Sequence, residues 1–238
     1  MRLRFLLSPF FLSRTLLRRT IREAVALANP NGSLIDIGCG QKPHRDLFPE
    51  IQTYHGIDFK SYSANKDFQS GGPDFAFPDD YTASWRLPFE NGSYDHSVAF
   101  EVAEHHPQPA ILLSEMARVT RPGGFVLLSW PFIFPLHEEP HDHFRYTHHQ
   151  MSQLAKNAGL IPLRFLKTGG VFPCVVTLLT HHVAVFHDRG GWRKWVGLVL
   201  YPPFLALQYL ALPFSKIASD TTVLTYVAVL QKPRVPSQ

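Results

Sequence analysis

Leu34-Ile35-Asp36-Ile37-Gly38-Cys39-Gly40 is the stretch that decides the fold. An apolar run of strand character passes directly into a Gly-Cys-Gly turn. Glycine has no Cβ to block a ligand and tolerates positive φ, so such a turn brings bare backbone close to a bound nucleotide. About twenty residues on, Tyr54-His55-Gly56-Ile57-Asp58 reads as a second strand ending in an acid, the spacing at which a carboxylate grips a ribose diol. The two features together predict a nucleoside cofactor on a doubly wound α/β sheet.

The glycine pattern narrows that cofactor. A dinucleotide fingerprint requires G-x-G-x-x-G, so that a helix N-terminus closes on a pyrophosphate. Here the third position is Pro43, which argues against a pyrophosphate cradle.

Asp36-x-Gly38-Cys39-Gly40 is instead similar to the first motif of the class I S-adenosylmethionine (SAM)-dependent methyltransferases, of the type 11 kind. Further segments resemble that family in order. They are Asp58, Leu87-Pro88-Phe89-Glu90-Asn91-Gly92-Ser93-Tyr94-Asp95, Glu101-Val102-Ala103-Glu104-His105, and Arg118-Val119-Thr120-Arg121-Pro122-Gly123-Gly124 with the strand after it. The resemblance covers roughly residues 20 to 168 and the final strand. It implies a Rossmann-like sheet of seven strands, mostly parallel with the last antiparallel. SAM is then the cofactor, bound by Asp36, Gly38, Cys39, Gly40, Asp58, Asp80 and Glu101. Asp58 would take the ribose hydroxyls, Asp36 would orient the turn and the ammonium of the methionine tail, and Asp80, with Asp79 as rival, would lie near the adenine amine. Glu101 falls at the tip of strand 4, where carboxyl ends of strands gather at a ligand crevice.

No Asp/Asn-Pro-Pro-Tyr follows strand 4, which argues against an amide or base amine as acceptor. His105 and His106 stand there, and a histidine near neutral pKa can deprotonate a hydroxyl as the methyl arrives. A structural role in closing the loop is the other reading of His105. The densest run of histidines is 137–149, with His137, Glu138, His141, His143, Arg145 and Tyr146 as candidate substrate-facing residues. It follows strand 5 at the ligand edge, and "HDHFRYT" resembles the family's "D.WR.T". Arg145 is expected to pair with Glu138 or Glu139, or with an anionic group on the substrate. A metal site is the rival reading, but no established ligand spacing such as H-E-x-x-H occurs, so no metal ligand is assigned.

Length and composition bound these readings. At 238 residues, with 45% hydrophobic and 18% charged residues, the chain suits one globular α/β domain. The formal charge is +4, but Arg2, Arg4, Arg14, Arg18, Arg19 and Arg22 crowd the first two dozen residues among Phe and Leu. That mixture favours a membrane surface over nucleic acid. Arginines follow the first apolar run at once and no convincing cleavage site precedes them, so residues 1–28 are read as a basic amphipathic helix region rather than a signal peptide. Two cysteines fit a reducing, cytoplasmic compartment.

Along the chain, helices are expected over Ser13–Ala28, from Pro43, over Pro109–Thr120 and from Thr147 to Gly159. Strands are expected at 34–37, 54–58, 75–77, 95–100, 125–130, 160–167 and 222–231. An apolar helical insertion, 170–217, separates the last two strands. Its second run, Trp195 to Phe214, is uncharged and long enough to span a bilayer, but Pro202, Pro203 and Pro213 are expected to break it. A lid or hairpin on the membrane, with Trp192 and Trp195 beside Arg193 and Lys194 as an interface anchor, is preferred to a dry cap. The expected function is methyl transfer to an oxygen or carbon of a small-molecule, lipid or lipid-linked acceptor by a peripherally membrane-associated enzyme. The alternatives are a metal-dependent enzyme built on the His-rich loop and a non-catalytic SAM-binding protein at the membrane.

Overall fold

The computed structural model describes residues 6–59, 72–77, 85–188, 190–216 and 221–234. The elements are α1 (Phe11–Ala28), β1 (Gly32–Ile37), β2 (Ile51–Phe59), β3 (Phe75–Phe77), β4 (His96–Phe100), α2 (Pro109–Val119) and β5 (Phe125–Pro131). They continue with α3 (His148–Asn157), β6 (Ile161–Gly169), α4 (Val171–Asp188), α5 (Trp192–Ala211) and β7 (Val223–Gln231).

The strands form one seven-stranded sheet in the order β3-β2-β1-β4-β5-β7-β6. β1 pairs in parallel with β2 and β4, β2 with β3, and β4 with β5. β7 runs antiparallel to β5. The Phe132 N–H donates to Leu224 C=O at 2.8 Å at one end, and the Gly123 N–H to Lys232 C=O at 2.9 Å at the other. The order reverses between β1 and β4, and that reversal is where an open α/β sheet leaves a crevice at its carboxyl edge. Registers Asp36↔Val98, Asp58↔Ala76 and Phe100↔Ser129 bring Gly38, Asp58 and Glu101 to that edge.

By chain contacts the protein divides into two compact units. The larger comprises Ile21–Trp130, Glu138–Leu166 and Val227–Gln238. Its core includes Leu34, Ile35, Ile57, Leu112, Met116 and Leu127, all fully buried. Asp95 fixes the far ends of its strands: Ser33 donates to it from both its N–H (2.8 Å) and its hydroxyl (2.7 Å), and Arg121 binds it from the other side. Arg118 grips Glu115 through two nitrogens and donates to the carbonyls of Phe89 and Leu87, which sets the lead into β4.

The smaller unit comprises residues up to Thr20, Pro131–His137 and Lys167–Tyr226. Leu12, Leu16, Cys174, Val176, Ala211 and Leu224 form its core. Gln208 is fully buried there and uses both ends of its amide. Its oxygen accepts from Leu12 N–H at 2.9 Å, and its nitrogen donates to Ser8 C=O at 3.2 Å. An N–H of the first turn of α1, which has no partner within the helix, is thereby satisfied from 196 residues away. Tyr201 and Tyr209 donate to Leu7 C=O and Leu6 C=O, and Tyr209 stacks on Phe11 with centroids 4.3 Å apart.

Several expectations need correction. The helix foreseen from Pro43 is only a 3-10 turn, Arg45–Leu47, since Pro49 leaves no room for a second turn. α1 begins at Phe11, two residues early. α5 runs unbroken through Pro202 and Pro203; each proline removes one i→i−4 bond, but the helix continues to Ala211 and yields only before Pro213. Among the described helices the one long and apolar enough to cross a membrane is α4, not the second run.

Candidate active site

The turn after β1 is pinned from below: Gly38 and Cys39 N–H both reach Ile57 C=O, at 2.9 and 3.3 Å. Gly38 has φ +66°, and a Cβ there would lie 2.5 Å from Cγ2 of Val102. Gly40 has φ +49°, yet a Cβ on it would meet nothing within 4 Å. One glycine is therefore required by close packing, whereas the other fronts open space. Cys39 is buried with its Sγ toward Gly56, and burial, with the charges of Asp36 and Asp58, pushes its thiol well above the usual range. It contributes packing and backbone, not a nucleophile.

Asp58, at the end of β2, accepts from Gly40 N–H at 2.7 Å on one oxygen and from Phe59 N–H at 2.8 Å on the other. Both oxygens thus lie at the mouth of the Gly-Cys-Gly turn, at the end of β2. Asp36 is buried and receives the Tyr54 hydroxyl at 2.5 Å. Burial drives its pKa up to about 7 against the lowering effect of Tyr54, and the charge of Asp58 adds to the rise. Lys42 bonds Asp74 at 2.7 Å, and Asp74 also accepts from Gly56 N–H, which ties the turn to the approach to β3. Asp80 lies outside the described residues.

Across the crevice, Glu101 sits at φ +55°, an unusual conformation for a residue with a side chain. Ser129 holds it there: its hydroxyl accepts from Glu101 N–H at 3.0 Å and donates to Oε1 at 2.8 Å. Burial raises the carboxyl to about 7 in spite of Ser129 and Arg145. Glu104 is completely buried, and burial together with the Glu101 charge pushes it well above the normal range.

The two histidines behave differently. His106 is buried against Trp85 (centroids 4.8 Å, edge-on), and its Nδ1 accepts from Gln108 N–H at 3.0 Å. Burial, with His143 nearby, lowers it to about 4. His105 is partly open, and its Nδ1 lies 2.9 Å from the carbonyl of His141. A carbonyl only accepts, so Nδ1 carries the hydrogen and, in the neutral ring, Nε2 the lone pair. Nε2 faces carboxylate oxygens of Glu104 at 3.6 Å and Glu138 at 3.9 Å.

The loop expected as one piece from 137 to 149 divides between the units. His137 belongs to the smaller one, edge-on to Phe134, with its Nδ1 3.2 Å from the Pro135 carbonyl. Glu138, His141, His143, Arg145 and Tyr146 belong to the larger. Its backbone is tied to the exit of β4, for His143 N–H donates to Glu104 C=O at 2.9 Å. Arg145 grips Asp142 through both terminal nitrogens, a partner not foreseen from the sequence. The Tyr146 carbonyl accepts from the Trp130 indole at 2.8 Å, which fixes the end of the loop. Ser129, Tyr54, Asp74 and Glu104 also escaped the sequence reading as site residues, although Tyr54 and Glu104 lie within quoted stretches.

A reversal of strand order, a Gly-x-Gly turn beneath open space and an acid closing β2 together form a nucleoside-binding crevice at the carboxyl edge of the sheet. Residues 35–128, about two fifths of the chain, match the model of the family described as "Methyltransferase domain". The chain is 32% identical over 111 residues to an uncharacterized methyltransferase of Mycobacterium sp. (strain KMS), covering 45% of this chain and 42% of that protein. It is 33% identical over 102 residues to one from Mycobacterium tuberculosis, covering 41% and 39%. The match thus spans about two fifths of these relatives. Two solved structures share the fold. The [4+2]-cyclase SpnF has a TM-score of 0.56 at 18% identity, covering 92% of this chain and 82% of that one. A putative methyltransferase of Haloferax volcanii, solved with the Trm112 activator, has a TM-score of 0.55 at 17% identity, covering 95% and 94%. That a cyclase is among them shows that the fold alone does not fix the reaction.

SAM is the cofactor of this family, and the residues fit it. Gly40 fronts open space that a Cβ would enter, Asp58 closes β2 as an acid bonded to the Gly40 N–H, and Asp36 is a buried acid that gains from a cation.

Proposed function

We propose that the protein transfers a methyl group from SAM to an oxygen or carbon of a small-molecule, lipid or lipid-linked acceptor, at or near a membrane. The bound sulfonium supplies an already activated methyl group, so the chain has to align the acceptor, exclude water and remove its proton. His105 is assigned the proton. The observation that carries this is its bond to the His141 carbonyl, which fixes the ring and the tautomer and presents Nε2 as the basic nitrogen. His106, lowered to about 4 and engaged by Gln108, is a weak base near neutral pH and acts in packing.

His105→Gln is expected to lower kcat about 100-fold, the lower range for loss of a general base, while S-adenosylhomocysteine affinity changes less than about twofold. Turnover and calorimetry on the same preparation test this. An unchanged kcat removes His105 from the chemistry.

The proposed pairing of Asp36 with the ammonium group has a pH signature. Without the ammonium group Asp36 titrates near 7, so binding below that pH must displace a proton. Affinity for S-adenosylhomocysteine is expected to rise about tenfold from pH 6 to 8 and then level off. Asp36→Asn should flatten the profile. Stability of the unliganded chain runs the other way. Asp36 and Glu101 both hold protons more tightly folded than unfolded. Their contribution is therefore full near pH 4 and is lost as pH rises through about 7.

A further inference from the structure

Charge in this protein is segregated by unit. The smaller unit carries ten Lys and Arg against two Asp, a formal +8, and the larger carries thirteen against seventeen, −4. The hairpin of the smaller unit also carries a second apolar face. α4 buries Cys174, Val176, Thr177, Thr180 and Val183, yet Val171, Val175, Leu178, Leu179 and Val185 lie exposed at helical spacing along the opposite face. α5 buries Gly197, Gln208 and Ala211, while Trp192, Trp195 and Val199 stand 67%, 69% and 74% exposed. A helix pair whose outer face meets only water carries polar residues there.

Both helices would have to carry the closed end of the hairpin across if they spanned a bilayer. That end holds Asp188 and, between the two open tryptophans, Arg193 and Lys194, all exposed. Tryptophan beside Arg and Lys belongs at the headgroup layer, not in hydrocarbon.

We propose that the smaller unit docks on an anionic bilayer, with the α4–α5 hairpin lying in the plane of the headgroups, its apolar stripes at the acyl boundary and its cations on lipid phosphates. This rests on the lipid-acceptor reading for its purpose: it names the surface where such an acceptor is met.

The test uses the full chain with phosphatidylcholine vesicles, with and without phosphatidylglycerol. Trp85 and Trp130 are already buried, so any blue shift of emission reports Trp192 and Trp195. The expected result is flotation and a blue shift with the anionic vesicles, and little of either with the neutral ones. Arg193→Glu with Lys194→Glu should weaken partitioning about 25-fold or more, at roughly fivefold per basic residue. Val199→Asp, on the exposed stripe, should weaken it about tenfold or more. No flotation with anionic vesicles overturns the proposal. So does a stable dimer that shields both tryptophans from an aqueous quencher, or resistance to alkaline carbonate extraction, which marks a spanning hairpin. Loss of vesicle binding with S-adenosylhomocysteine binding intact sinks the docking alone; the converse sinks the methyl-donor reading alone.

Discussion

Asp58→Ala is expected to weaken S-adenosylhomocysteine binding about 100-fold, or about 2.7 kcal/mol. Two losses add. The ribose hydroxyls lose a charged acceptor, and hydrogen bonds to charged groups contribute roughly 1.5–3 kcal/mol. The Gly40 N–H, held at 2.7 Å, also loses the group that sets the turn. Asp58→Asn keeps one accepting oxygen and should fall between, at about tenfold. Calorimetry with thermal melts beside it separates binding from unfolding. An Ala variant that binds as the native chain does would remove the ribose assignment and weaken the reading of the crevice with it.

A pair of glycine substitutions should give opposite outcomes. A Cβ on Gly124 would lie 2.0 Å from the Asp95 carbonyl oxygen and 2.9 Å from that of Arg121. Both are backbone atoms and cannot swing aside. Gly124→Ala is expected to destabilise the fold by about 3 kcal/mol or more, a fall in Tm of roughly 6–12 °C. Gly40→Ala meets open space and costs only the left-handed backbone, about 1–2 kcal/mol. Its methyl group, however, occupies the cradle, so S-adenosylhomocysteine binding should fall more than about 100-fold in a chain that still melts cooperatively. If Gly40→Ala binds normally, the open space beside it is not where the cofactor lies.

The carboxyl edge of the sheet was legible because it is written locally. An apolar run that ends in glycine, and an acid one strand later, each mark a strand end without help from distant residues. The capping of α3 was legible for the same reason: Thr147 accepts from Gln150 N–H and Gly159 takes φ +75°. What escaped was long-range. Ser129 reaches Glu101 from the neighbouring strand, and Asp74 reaches Lys42 across 32 residues, with no periodic trace of either. Proline was over-read in α5, where two lost bonds did not outweigh the packing of a 20-residue helix. The helix expected after the Gly-Cys-Gly turn shrank to Arg45–Leu47 because Pro49 disfavours the helical conformation at Phe48. The division into two units was invisible because it joins the first residues to the insertion, which lie at opposite ends of the chain.

The amide of Gln208 ties those ends into a single piece. Trimming the first dozen residues would leave a primary amide in an apolar interior with neither Leu12 nor Ser8 to meet it. The damage would then surface in the hairpin, far along the chain from the cut. Shortened versions of this protein that lose these residues should therefore be judged by the integrity of α5 before any loss of turnover is blamed on chemistry.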